Sequence, residues 1–109
     1  MAQLRLLSIH CNTTEDVTGA DEPYLKVGGR QVWSSQSLND GQTAELSGVP
    51  PVSFSRSIPI ELWEQDGGFL DPDDFLGSWT VRRRDAGGER EARFNGDDAD
   101  YVVRYRVKR

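Results

Sequence analysis

Cysteine and histidine each occur once in this chain of 109 residues, as Cys11 and His10. A lone thiol rules out an intramolecular disulfide and leaves nothing to argue for an oxidising compartment. A lone imidazole makes acid–base catalysis by histidine hard to assemble. No Ser-His-Asp order, nucleophile elbow, phosphate loop or His-Glu-x-x-His motif is found either. Apolar runs are short, none approaching membrane-spanning length, and the N-terminus lacks the charged-then-apolar pattern of a signal peptide. The expectation is one soluble domain spanning residues 1–109, cytoplasmic, of a size that builds a core without covalent or metal staples.

Helical periodicity is also missing. What replaces it is a series of short β-type runs punctuated by Gly, Asn and Asp. Strands are predicted at residues 4–11, 22–27, 30–34, 42–46, 57–64, 75–83, 90–94 and 100–108. Gly28-Gly29 marks a tight hairpin, and Asn39-Asp40-Gly41, Asp85-Ala86-Gly87-Gly88 and Asn95-Gly96-Asp97-Asp98 mark further turns. The last run alternates most clearly: Tyr101, Val103, Tyr105 and Val107 share one face, Val102, Arg104, Arg106 and Lys108 the other, mostly polar one. Pro59 lacks a backbone donor, which favours an edge or a bulge at that point. Eight short strands with such turns predict an all-β, eight-stranded antiparallel β-sandwich rather than a parallel α/β sheet. His10, Cys11, Trp33, Trp63 and Trp79 fall within strands and are expected to serve packing.

Charge is unevenly divided. Residues 1–77 hold twelve acids and four bases, a net of −8; residues 78–109 hold six acids and nine bases, a net of +3. Basic candidates are confined to Arg82, Arg83, Arg84 and the alternation near the C-terminus. Solvated strand faces account for them, and no nucleic-acid partner is expected.

The acids form two groups. Glu15, Asp16, Asp21 and Glu22 fill the first interstrand loop. Glu64, Asp66, Asp71, Asp73 and Asp74 surround a Gly-Gly/Pro loop between the fifth and sixth predicted strands. Residues 61–77 contain six carboxylates and no base. Like charges gathered by folding each favour protonation, unless a cation sits among them. Oxygen donors without nearby His or Cys select hard cations and disfavour zinc, copper and iron–sulfur clusters. Two loops rich in carboxylates suit calcium, with its six to eight oxygens and flexible geometry, better than octahedral magnesium. An EF-hand is excluded, since neither Asp66 nor Asp71 begins the required spacing and strands flank the loop. Paired carboxylates also hydrolyse glycosides, but acids at loop tips without a groove of aromatic residues fit ion binding better. Enzyme is the least supported class.

Three pieces of the chain together resemble the C2 domain family. They are the strand at 4–11, the segment Gly19-Ala20-Asp21-Glu22-Pro23-Tyr24-Leu25-Lys26-Val27, and Leu62-Trp63-Glu64-Gln65-Asp66 followed by Asp73-Asp74-Phe75-Leu76-Gly77. The resemblance implies a C2-like Greek-key sandwich binding Ca2+ through loops at one end, with attachment to anionic phospholipid at a membrane surface or to a protein partner. It implies Asp16 as a first-loop ligand, Glu22 as the acid before Pro-Tyr, and Glu64, Asp66 and Asp74 as third-loop ligands, with Asp71 and Asp73 adding oxygens. Glu22 and Glu64 stand where the family carries aspartate, which leaves Asp21 as the alternative to Glu22. Phe69 and Leu70, at the tip of the long loop, either insert into a bilayer or pack back on the sandwich.

Overall fold

The computed structural model describes residues 1–16, 19–65 and 72–109. Among them run nine strands: β1 (Ala2–Thr13), β2 (Pro23–Val27), β3 (Arg30–Ser34), β4 (Thr43–Glu45), β5 (Val52–Phe54), β6 (Ser57–Glu64), β7 (Asp74–Arg82), β8 (Arg90–Phe94) and β9 (Asp100–Lys108). They form two antiparallel sheets, one ordered β4-β1-β9-β8 and the other β3-β2-β6-β7, packed as a sandwich. Val52–Phe54 is an addition to the predicted strands. β5 pairs with Ala2, Gln3 and Leu4 on β1, while β4 pairs with Ser8, Ile9 and His10 of the same strand. The two short segments therefore share one edge, and nine strands occupy eight positions. Three residues after Pro50-Pro51 are too few to show a period of two.

Burial follows the alternation, with one instructive change of phase. In β1 the buried residues are Ala2, Leu4 and Leu6, then Ile9 and Cys11. The register with β9 shifts between Leu6 and Ser8. A bulge there inserts one residue and moves the core-facing set from even to odd positions. In β6 the parity never changes, so Ile58, Ile60, Leu62 and Glu64 all point inward. The last of these is a carboxylate, only 2% exposed. Pro59 sits in a central strand rather than at an edge or bulge. The β2 ladder ends at the Val27–Ile60 pair, so the missing donor lies beyond it, where the Gly28 amide donates to the Pro59 carbonyl at 3.0 Å.

Gly28 and Gly29 have φ of 61° and 84°, the left-handed pair that a two-residue hairpin needs. Between the sheets lie Leu4, Leu6, Ile9, Leu25, Ile60, Leu62, Leu76, Phe94, Tyr101, Val103 and Tyr105, all buried. Trp79 spans the seam between β7 and the other sheet, its indole N–H donating to the Tyr105 hydroxyl at 3.1 Å.

Strand direction decides what meets at each end. β1 and β6 run toward one end, and β2 and β7 leave it. Among the described residues, 14–16, 19–22, 35–42, 65, 72–73 and 95–99 thus share that end, which carries the described acids of both groups. The turns at 28–29, 55–56 and 83–89 lie at the other. Arg82 closes β7, whereas Arg83 and Arg84 lie beyond the strand in a 3-10 turn, Arg83–Asp85. No helix among the described residues is long and apolar enough to cross a membrane.

Candidate metal centre

The organising side chain of the acidic end is Asp21, fully buried. Its backbone bridges to Leu38, with N–H to carbonyl distances of 2.9 Å in both directions. That bridge turns the Asp21 carboxylate into the loop. Oδ2 accepts from the Glu15 amide at 2.7 Å and from the Tyr101 hydroxyl at 2.5 Å, and Oδ1 accepts from the Asp16 amide at 3.1 Å. Three donors fix one carboxylate and, through it, the backbone carrying Glu15 and Asp16. Tyr101 reaches in from β9, and burial together with Asp21 raises its hydroxyl well above the ordinary range.

Around this anchor, Glu15, Asp16, Asp21 and Glu64 each place an oxygen within 4.8 Å of one another. Glu15, Asp74 and Asp97 meet the same condition, so Glu15 belongs to both groups. Calcium binds oxygen at ~2.4 Å, so oxygens on opposite sides of one ion stand about 4.8 Å apart. These spreads suit a hard cation. A further observation bears on the fit: Oε2 of Glu15 is buried and has no hydrogen-bond partner. The carboxyl of Glu15 is pushed up to about 9 from its ordinary 4.5, chiefly by burial, then by contact with Asp74, Asp16 and Asp97. An orphaned buried oxygen among carboxylates, with oxygen as the only donor type, fits calcium.

The predicted ligands divide in the structure. Asp16, Asp21, Glu64 and Asp74 come together. Glu22 is exposed and outside both groups; its carbonyl accepts from the Gln65 amide at 3.0 Å and ties the two long loops together. Asp73 is also outside them, accepting from the Tyr24 hydroxyl at 2.5 Å. Asp66 and Asp71, with the insertion candidates Phe69 and Leu70, lie outside the described residues. Two members of the groups were not among the predicted ligands. Glu15 belongs to the acidic first loop, where the sequence pattern does not single it out. Asp97 reads in the sequence as part of the Asn95-Gly96-Asp97-Asp98 turn. It sits at φ 53° in the 3-10 turn Gly96–Asp98, and only packing brings it to the site. A Cβ on Gly96 would come 2.7 Å from the Leu76 carbonyl, which shows how closely this turn lies on β7. Nothing in the sequence marks Asp97 as a ligand; its positive φ is visible only in the backbone.

Beside the acids, the outer face of the second sheet carries an aromatic row formed by cross-strand pairs. Tyr24 and Trp63 stack at 6.4 Å, Trp63 and Phe75 lie 5.0 Å apart, and the Lys26 ammonium is 5.1 Å from the Trp63 ring centroid. Phe75 is 48% exposed.

No family model matches the sequence, and no curated protein does. Solved structures do share the fold. A C2 domain structure aligns with TM-score 0.63 and 15% identity, covering 99% of this chain and 97% of that one. The C2A and C2B domains of Extended-Synaptotagmin 2 align with TM-score 0.60 and 15% identity over 98% of this chain and 39% of theirs. Human GIVD cytosolic phospholipase A2, in complex with methyl gamma-linolenyl fluorophosphonate and terbium chloride, aligns with TM-score 0.55 and 14% identity over 97% of this chain and 17% of that one. The chain has the fold of a C2 domain.

Proposed function

We propose that this C2-fold chain, acting as one domain over residues 1–109, binds calcium at its acidic end and thereby attaches to anionic phospholipid. The observation that carries the reading is the partnerless, buried Oε2 of Glu15, held where two carboxylate groups overlap. Glu15, Asp16, Asp21, Glu64, Asp74 and Asp97 are the residues that would hold the metal, with Asp66 and Asp71 as further ligands from the long loop. Calcium, when bound, supplies positive charge and coordination positions that phosphate oxygens can share.

The remaining work belongs to the chain. Asp21, fixed by three donors, keeps Glu15 and Asp16 turned inward. The Gln65–Glu22 backbone bond holds the two ligand loops side by side. With the acids uncompensated, the loops repel one another and an anionic surface; compensation removes that barrier. Phe69 and Leu70 are the proposed apolar contacts with the bilayer interior, and exposed Phe75, near the start of β7, is a further apolar candidate.

Sedimentation with phosphatidylserine vesicles tests the reading. The protein is expected to pellet with vesicles in calcium and to return to the supernatant on adding chelator. A protein that calcium stabilises but that ignores the vesicles would replace membrane attachment by calcium-stabilised attachment to another protein.

A further inference from the structure

The two flanks of the sandwich close differently. On one, β7 lies against β8. On the other, β3 ends one sheet and β5 lies at the margin of the other, pairing with β1 alone. Between β3 and the β5 segment runs a groove of about 480 Å³, lined by Val27, Val32, Val49, Pro50, Pro51 and Val52. Val27 and Val49 are buried, whereas Val32 and Val52 are half-buried and pack against the core from outside. The two edges that border this groove are not equivalent. Pro50 and Pro51 lack backbone donors and run into β5, which is three residues long, so that edge is blunted. β3 holds five residues, Arg30–Ser34, none of them proline or glycine, and pairs only with β2. Among the described residues no loop backbone bonds to residues 30–34. Alternate N–H and C=O groups of β3 therefore face outward without a strand to meet them. The register with β2 shifts between Leu25 and Lys26, which makes Val32 the extra residue, and both Val32 and Trp33 pack inward.

Charge beside the groove has one sign. Arg30 lines it, and Pro51 also borders a neighbouring hollow of about 240 Å³ lined by Gln3, Arg5, Arg106 and Lys108. No acid lines either cavity. The ion pairs among the described residues involve Arg93, Arg104 and Arg106, which leaves Arg5, Arg30 and Lys108 without one. An extended segment laid along β3 would bond to its outward backbone groups while every second side chain entered the groove. The backbone edge selects a peptide over a small apolar ligand. Five residues of strand span about 17 Å at ~3.3 Å per residue. Aliphatic side chains at alternate positions would cover Val32 and Val52, and acids at one end would meet Arg30, Arg5 and Lys108. An isologous second copy would set this basic patch against itself and bring no acid to it. We propose that the β3 edge and its groove are a docking site for an extended peptide of a partner protein, with alternating aliphatic residues and an acidic end. Antiparallel pairing is the more stable per residue, and it sets the C-terminal end of the peptide beside Arg30. The site lies on the flank of the sandwich and works independently of the acidic loops.

The test titrates the whole chain, in calcium-depleted buffer of low ionic strength, into fluorescein-labelled peptide sets read by anisotropy. The sets have the pattern X-Thr-X-Thr-X, where X is Val, Ile, Leu or Phe, with Asp-Asp at the C-terminal or at the N-terminal end. Micromolar binding is expected, tighter for the C-terminal acids, with slowed hydrogen exchange of amides within residues 30–34. Lysines in place of the aspartates, or Pro-Pro in place of the central Thr-X pair, should each weaken binding about tenfold. Arg30→Glu should weaken it about tenfold without lowering the thermal midpoint. Val32→Lys, which places a charge on the inner side of the edge, should abolish it. No binding by either acidic set at millimolar peptide, or binding that neither substitution nor Pro-Pro reduces, overturns the proposal. A dimer in sedimentation equilibrium that Val32→Lys dissolves would assign the edge to a second copy and also overturn it. Asp74→Asn, which targets the calcium end, should leave peptide binding intact, so the two readings fail separately.

Discussion

Glu15→Gln is expected to raise the thermal midpoint of the calcium-free protein and to abolish most of the rise that calcium produces. The two effects have opposite signs, which a merely structural residue would not show. In the folded protein the Glu15 carboxyl keeps its proton up to about pH 9, because burial and the neighbouring Asp74, Asp16 and Asp97 disfavour its charge. In the unfolded chain the proton leaves near the ordinary value of 4.5. Stability from this group is fully present below pH 4.5 and declines as pH rises toward 9. Glutamine is neutral throughout and avoids the decline. After discounting for solvent screening, the gain at pH 8 is about 1 kcal/mol, or about 4 °C for a chain of this size. It should vanish near pH 4, where both side chains are neutral. With calcium present the order reverses, since glutamine cannot supply the anionic oxygen. Differential scanning calorimetry of both proteins from pH 4 to 9, with and without calcium, reads all of these effects.

Asp21→Ala is expected to be the most destabilising change at the acidic end, by about 3 kcal/mol, with the midpoint about 12 °C lower. The substitution strands the Tyr101 hydroxyl and the amides of Glu15 and Asp16, which all donate to this carboxylate. Relief of repulsion from Asp16 and Glu64 offsets only part of that loss, because three donors lose their shared acceptor. Asp21→Asn keeps an acceptor oxygen and should recover at least half of the stability while still weakening calcium binding. Chemical denaturation of the two variants in calcium-free buffer separates the scaffold role from the ligand role. Equal stability of wild type and Asp21→Ala would show that Asp21 does not hold the loop.

Legibility in the sequence followed locality. The Tyr101-Val103-Tyr105-Val107 alternation and the Gly28-Gly29 hairpin depend on neighbours in the chain, and the structure reproduces both. β5 was not legible, because a three-residue strand is defined by its partner on β1 and not by its own pattern. The acidic groups stood out as composition, and their meeting at one end follows from the antiparallel order of β1, β2, β6 and β7. Which acids face one another is settled by non-local contacts. The Asp21–Leu38 bridge turns Asp21 in and leaves Glu22 exposed. Unbroken parity in β6 carries Glu64 inward. The close approach of Gly96 to Leu76 sets the turn that presents Asp97.

The most direct test of the central claim is a thermal melt of the unmodified chain in calcium and in chelator. An ion that binds only the folded state at one hundred times its dissociation constant adds about 2.7 kcal/mol, which corresponds to a rise of about 12 °C for a chain of this size. The account predicts such a rise, with a smaller one in magnesium. An unchanged midpoint at millimolar calcium would contradict it.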